Sequence, residues 1–151
     1  MEDSSVVETS DEWFHQLALN NKVLETLNFY MTFLEKIRVE DLELLARNCP
    51  LVSVKIGDTD LVHLGNFFRS ATRLQEFCGG SVSEGFDQYS NITFPAQLNS
   101  VGLMYLGESQ VPILFPVAHL LRKLDLVYAS LSCEGHCDLI HRCPNLEVLE
   151  V

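Results

Sequence analysis

The chain has 151 residues, 47% hydrophobic and 21% charged, a length and composition that suit one packed domain. With 21 Asp+Glu against 10 Lys+Arg the formal net charge is −11, which argues against nucleic acid or an anionic membrane surface as a partner. No apolar run approaches the ~18 residues of a membrane span, the acidic N-terminus does not fit a signal peptide, and five scattered cysteines fit the reduced thiols of an intracellular protein.

One pattern organises the chain. Leu24-x-x-Leu27-x-Phe29 returns as Leu51-x-x-Val54-x-Ile56, Leu74-x-x-Phe77-x-Gly79, Leu98-x-x-Val101-x-Leu103, Leu121-x-x-Leu124-x-Leu126 and Leu146-x-x-Leu149-x-Val151. The starts are separated by 27, 23, 24, 23 and 25 residues, a period of about 20–29 that marks a leucine-rich repeat. Within each copy the last two apolar positions are two apart and share one face of a strand, while their neighbours share the other. A single strand of this kind cannot bury its apolar face alone, and a parallel stack of them can. The fold class expected is therefore α/β: a leucine-rich-repeat solenoid of about six repeats, with a curved parallel sheet inside and helices outside.

In chain order, the segments between strands read as follows. Asp11–Asn21 carries Trp13, Phe14, Leu17 and Ala18 at helical spacing, with Ser10 or Asp11 as N-cap. Glu40–Asn48 places Leu42, Leu45 and Ala46 on one face, and Leu61–Ala71 does so with Leu61, Leu64, Phe67 and Phe68. From Gly79 to Asn91 the chain reads as a polar, Gly-rich loop, ending at Phe94-Pro95 without a clear helix. Gly107–Pro116, interrupted by Pro112 and Pro116, reads as extended or 3₁₀. Cys133–Arg142 reads as a helix with Cys137, Ile140 and Cys133 inward. Cys49-Pro50 and Cys143-Pro144 are two copies of one turn, each stopping a helix before the next strand. Val151 falls inside a strand motif and no capping unit precedes Trp13, so both ends of the array read as uncapped.

Several stretches are more specific than the repeat. VLETLNFYMT (23–32), LARNC (45–49), LVSVKIGD (51–58), EFCGGS (76–81), PILFP (112–116), RKLDLVYA (122–129) and CPNLEVLE (143–150) together resemble the central leucine-rich repeats of the coronatine-insensitive family of F-box proteins, the plant jasmonate receptors, over residues 1–151. The resemblance implies the substrate-receptor subunit of a Skp–cullin–F-box ubiquitin ligase, nuclear, with transcriptional repressors and a Skp-type adaptor as protein partners. It also implies that the F-box and the later repeats, which supply most of the hormone pocket and the inositol phosphate site, lie outside this stretch. By that reading the segment has no cofactor of its own and binds neither hormone nor ligase. The alternative reading is a free-standing repeat module for protein interaction, or an inactive truncated product.

No catalytic constellation is legible. Cys133, His136, Cys137, His141 and Cys143 are possible zinc ligands by type. However, Cys143 occupies the same turn as Cys49, which has no such neighbours, so these side chains are expected to be structural. Asn91-Ile92-Thr93 matches a glycosylation sequon and, without a secretory route, is expected to stay unmodified. Gly79-Gly80 lacks the Lys and Ser/Thr of a phosphate loop and reads as a turn. His15, His63 and His119 read as surface or satisfied helix residues. The candidate partner-facing positions are those directed away from the core: Tyr30, Lys55, Met104, Lys123, Asp125 and Tyr128.

Overall fold

The computed structural model describes residues 12–29 and 37–151. Among these residues six strands form one sheet in sequence order: β1 (Thr26–Asn28), β2 (Ser53–Asp60), β3 (Glu76–Ser81), β4 (Ser100–Met104), β5 (Lys123–Asp125) and β6 (Val148–Glu150). Every pairing is parallel, and Leu27, Val54, Phe77, Val101, Leu124 and Leu149 stand in one register row. The strand centres expected from the repeat are those observed. In this row Val54, Phe77, Val101 and Leu124 are fully buried.

The spacing between the opening leucine and the strand has a hydrogen-bonding reason. The carbonyl one residue after it accepts two successive amides of the next repeat. Glu25 O takes Val52 N and Ser53 N, Val52 O takes Gln75 N and Glu76 N, and Gln75 O takes Asn99 N and Ser100 N. Asn99 O takes Arg122 N and Lys123 N, and Arg122 O takes Glu147 N and Val148 N. Each repeat is thus stitched to its neighbour before the ladder begins, which satisfies amides at the turn that burial would otherwise leave unpaired.

Helices return behind the sheet: α1 (12–20), α2 (Val39–Asn48), α3 (Gly65–Ser70) and α4 (Cys133–His141). In α2 the buried side chains are Asp41, Leu42, Leu45 and Ala46, so the expected apolar face is present with an acid added to it. The Cys-Pro turns are anchored alike. Asn48 Nδ2 donates to Ala18 O at 2.9 Å, and Asn145 Nδ2 to His119 O at 2.8 Å, each reaching back to the preceding repeat. Phe67, Phe68, Phe77 and Phe94 stack at centroid distances of 5.0–6.2 Å in the middle of the core, a large share of its apolar area.

Three expectations are corrected. Leu61–Ala71 is not one helix: a 3₁₀ turn, Leu61–His63, ends at Leu64 before α3 begins, although Leu61, Leu64, Phe67 and Phe68 are buried as the pattern requires. Gly79-Gly80-Ser81 is strand rather than loop, and buried. Gly79 has φ +99°, and a Cβ there would fall on the carbonyl oxygen of Ile56, so only glycine lets β3 lie this close to β2. The register shifts at this point, with Lys55 opposite Cys78 and Thr59 opposite Gly80, a bulge on the β2 side. Gly107–Pro116 resolves to 3₁₀, continuing over Glu108–Leu120 through both prolines, which disfavour the α-helical bond to the fourth preceding carbonyl. In the third repeat a short 3₁₀ turn, Phe86–Tyr89, takes the place of a helix.

The third correction is the face of α4. Leu139 and Gly135 are buried, whereas Cys133, Cys137 and Ile140 are exposed. The Glu108 carboxylate lies where a Cβ of Gly135 would stand and accepts the backbone amide of Ser132, while Ser132 Oγ caps Gly135 N at 3.1 Å. This double cap rotates the helix away from the register its cysteines suggest.

Candidate functional site

Two rows of side chains cover the sheet face turned away from the helices. One runs Thr26, Ser53, Glu76, Ser100, Lys123, Val148, and the other Asn28, Lys55, Cys78, Gly102, Asp125, Glu150. Lys55, Lys123 and Asp125 therefore sit on the expected face. Met104 closes β4, half-buried, and Tyr128 is exposed in the turn after β5. Tyr30 lies outside the described residues.

Among the described residues, both lysines of this face stand beside a carboxylate. Ser53 Oγ donates to Glu76 Oε1 at 2.6 Å, and Lys55 Nζ stands 3.9 Å from the same oxygen. Ser100 Oγ reaches Glu76 Oε2 at 3.4 Å, so one carboxylate ties three strands together. Lys123 Nζ is 3.4 Å from Glu150 Oε1, and that partner raises its pKa. Asp125 Oδ1 accepts Val127 N at 3.0 Å and so holds the turn that follows β5.

Between the two ion pairs lie Cys78, Ser100 and Gly102. The first two point outward by register yet are only 7% exposed, covered by neighbouring side chains. Burial, with the Glu76 charge second, pushes the Cys78 thiol up to about 11, so it is protonated and a poor nucleophile. A Cβ at Gly102 would stand 3.1 Å from Cys78 Sγ and 3.2 Å from Asp125 Cβ, so a side chain there would have to push its neighbours aside by a few tenths of an ångström.

A polyanion such as an inositol phosphate needs converging cations. Lys55 stands level with Asp125, three strands from the Lys123 strand, and at ~4.8 Å per strand the strands that carry the two lysines are ~14 Å apart. Among the described residues, these two lysines of the face therefore do not converge on one point.

The C-terminal rim of the sheet carries features that sequence reasoning missed. Tyr105, just past β4, has φ +61° and is 59% exposed. Its amide donates to Tyr128 O at 3.2 Å, setting two exposed tyrosines on adjacent repeats side by side. A left-handed φ at a tyrosine carries strain, and no turn residue announces it.

Elsewhere, Cys143 is buried in its turn with its pKa raised by burial, and Cys133 and Cys137 are exposed. Among the described residues no three His, Cys, Asp or Glu side chains are placed to hold a metal ion. His15 bonds Asp41, and His136 bonds the Ser132 carbonyl. No described helix is long and apolar enough to cross a membrane.

An unbroken parallel ladder, one strand per 23–27-residue repeat with helical or 3₁₀ returns behind it, defines a leucine-rich-repeat solenoid. No protein-family model matches the chain. Among curated proteins, coronatine-insensitive protein 1 of Arabidopsis thaliana is 53% identical over 99% of this chain. Homolog 1b of Oryza sativa subsp. japonica is 51% identical, and homolog 2 of subsp. indica 45% identical, each over the whole chain. The chain spans about a quarter of the length of these relatives, 26%, 26% and 27% respectively. It is a coronatine-insensitive-protein-like stretch of leucine-rich repeats, as the motifs from VLETLNFYMT to CPNLEVLE indicated.

Proposed function

We propose that this chain is a non-catalytic segment of a jasmonate-receptor-like F-box protein, the substrate-receptor subunit of a Skp–cullin–F-box ubiquitin ligase acting in the nucleus. Its work is geometric. The segment fixes the curvature that sets the hormone-binding parts of such a receptor at their correct separation, and so presents repressors for ubiquitination. The observation that supports this most is the likeness, over this whole chain, to about a quarter of the length of the coronatine-insensitive proteins. The paired lysines of the open face agree with it, since Lys55 and Lys123 are each engaged by a carboxylate of the neighbouring strand.

On this reading the segment by itself holds no inositol phosphate and grips no hormone carboxylate, which needs a preorganised cluster of Arg or Lys donors. Titration calorimetry of the isolated chain with coronatine, and a pull-down with a Skp-type adaptor, are both expected to show no binding. Micromolar affinity for coronatine, or capture of the adaptor, would overturn the proposal that this segment acts only as a wall.

A further inference from the structure

Asp60, the last residue of β2, receives donors from three segments. Val62 N donates to Oδ1 at 3.0 Å and the Tyr89 hydroxyl to the same oxygen at 2.8 Å. Ser83 N donates to Oδ2 at 3.3 Å, and Ser83 Oγ donates to that oxygen as well. The Tyr89 oxygen in turn accepts Ser83 N at 3.1 Å and Glu84 N at 3.0 Å. Beyond it, Glu84 O accepts Gln110 Nε2 at 2.6 Å, and Gln110 Oε1 accepts Gly107 N at 2.8 Å. A continuous line of hydrogen bonds thus runs along the rim from the end of β2 to the residues after β4. Tyr89 is buried at 3% exposure, whereas Ser83, one link of the line, is exposed and lies outside helix and strand. Glu84 and Asp87 follow it.

We propose that Ser83 is a phosphorylation site and that its modification opens this latch. An acid-directed serine kinase transfers the γ-phosphoryl group of ATP to Ser83 Oγ. The O–H bond gives way to an O–P bond, ADP leaves, and the hydroxyl proton passes to solvent. The phosphoserine can no longer donate to Asp60. It also brings roughly −1.5 to −2 charges against a carboxylate, the arrangement in which phosphorylation disrupts rather than orders. Segment 82–92 is then released from β2 while the ladder of β2, β3 and β4 persists, because none of its backbone pairs uses Ser83.

The test is to incubate the folded whole chain with ATP and an acid-directed serine/threonine kinase, map the phosphate by mass spectrometry, and follow hydrogen exchange. We expect phosphate on Ser83, absent in Ser83→Ala. Exchange at the Ser83 and Glu84 amides should rise about tenfold or more, the scale of losing one or two charge-assisted bonds, with β4 amides unchanged. Ser83→Ala should give a smaller rise, since Val62 N, Ser83 N and the Tyr89 hydroxyl still reach Asp60. Ser83→Glu should reproduce the larger one, and if that variant does not fold, the wild-type chain phosphorylated after folding gives the same reading. Absence of phosphate at Ser83, or phosphate there with unchanged exchange, would overturn the proposal.

Discussion

His15 Nδ1 lies 2.6 Å from Oδ1 of Asp41, joining α1 to the first turn of α2 across 26 residues of sequence. Asp41 is 3% exposed, and its other oxygen, Oδ2, has no hydrogen-bond partner among the described residues. Arg38 Nε approaches Oδ2 only to 4.0 Å. A buried carboxylate held by one donor is costly to abandon.

His15→Ala should therefore destabilise the chain by about 1.5–3 kcal/mol, the range for losing a hydrogen bond to a charged group. Adding Asp41→Asn to that variant should recover part of the loss, because a buried amide is cheaper to leave unpaired than a carboxylate. Urea unfolding of the three variants checks this. Equal stability of His15→Ala and wild type would show that the pair contributes nothing.

Gly79 and Gly57 give a contrast within one strand pair. Gly79→Ala sets a Cβ on the Ile56 carbonyl at φ +99° and should cost over about 4 kcal/mol, or prevent folding outright. Gly57→Ala meets nothing within 4 Å and should change stability by less than about 1 kcal/mol. Denaturant midpoints, or soluble yield where folding fails, decide the order.

The Asp60 latch gives a pH dependence. Burial pushes the Asp60 pKa up, but the donors from Ser83, Val62 and Tyr89 outweigh burial and leave it below the ordinary aspartate value. A carboxyl whose folded pKa lies below its unfolded value, about 3.9, stabilises fully above that value and loses the contribution as pH falls through the folded one. Melting temperatures from pH 7 to 3 should fall more steeply for wild type than for Asp60→Asn. Parallel curves would contradict the assignment. Tyr89→Phe leaves the Ser83 and Glu84 amides without their shared acceptor and should cost about 1–3 kcal/mol at pH 7.

How much of this was legible in the sequence follows from the range of each interaction. The row from Leu27 to Leu149 was readable because period-2 alternation and the leucine three residues earlier are local signals repeated six times. Lys55, Lys123 and Asp125 fall on the sheet face that alternation assigns them for the same reason. The bulge at Gly79 was not readable, because its cause is a carbonyl on the neighbouring strand, 23 positions back. The face of α4 was misread because cysteine spacing suggested one inner stripe, while the Glu108 cap and Gly135 fixed another. Cys78 and Ser100 point outward as expected yet are covered by their neighbours, which alternation alone does not reveal. The latch joins Asp60, Ser83 and Tyr89 over 23 and 29 residues, with no motif to announce it.

The central claim is that these residues serve as a correctly curved wall in a receptor of the coronatine-insensitive type. The most direct measurement is a chimera of Arabidopsis coronatine-insensitive protein 1 in which the matching stretch, 53% identical, is replaced by this chain. Coronatine-dependent capture of a transcriptional repressor, the kind of partner proposed above, is then titrated beside the unaltered protein. The account predicts a folded chimera with an apparent Kd within about tenfold of the parent, a difference of ~1.4 kcal/mol. A chimera that folds and melts like the parent but captures no repressor at any coronatine concentration would contradict it.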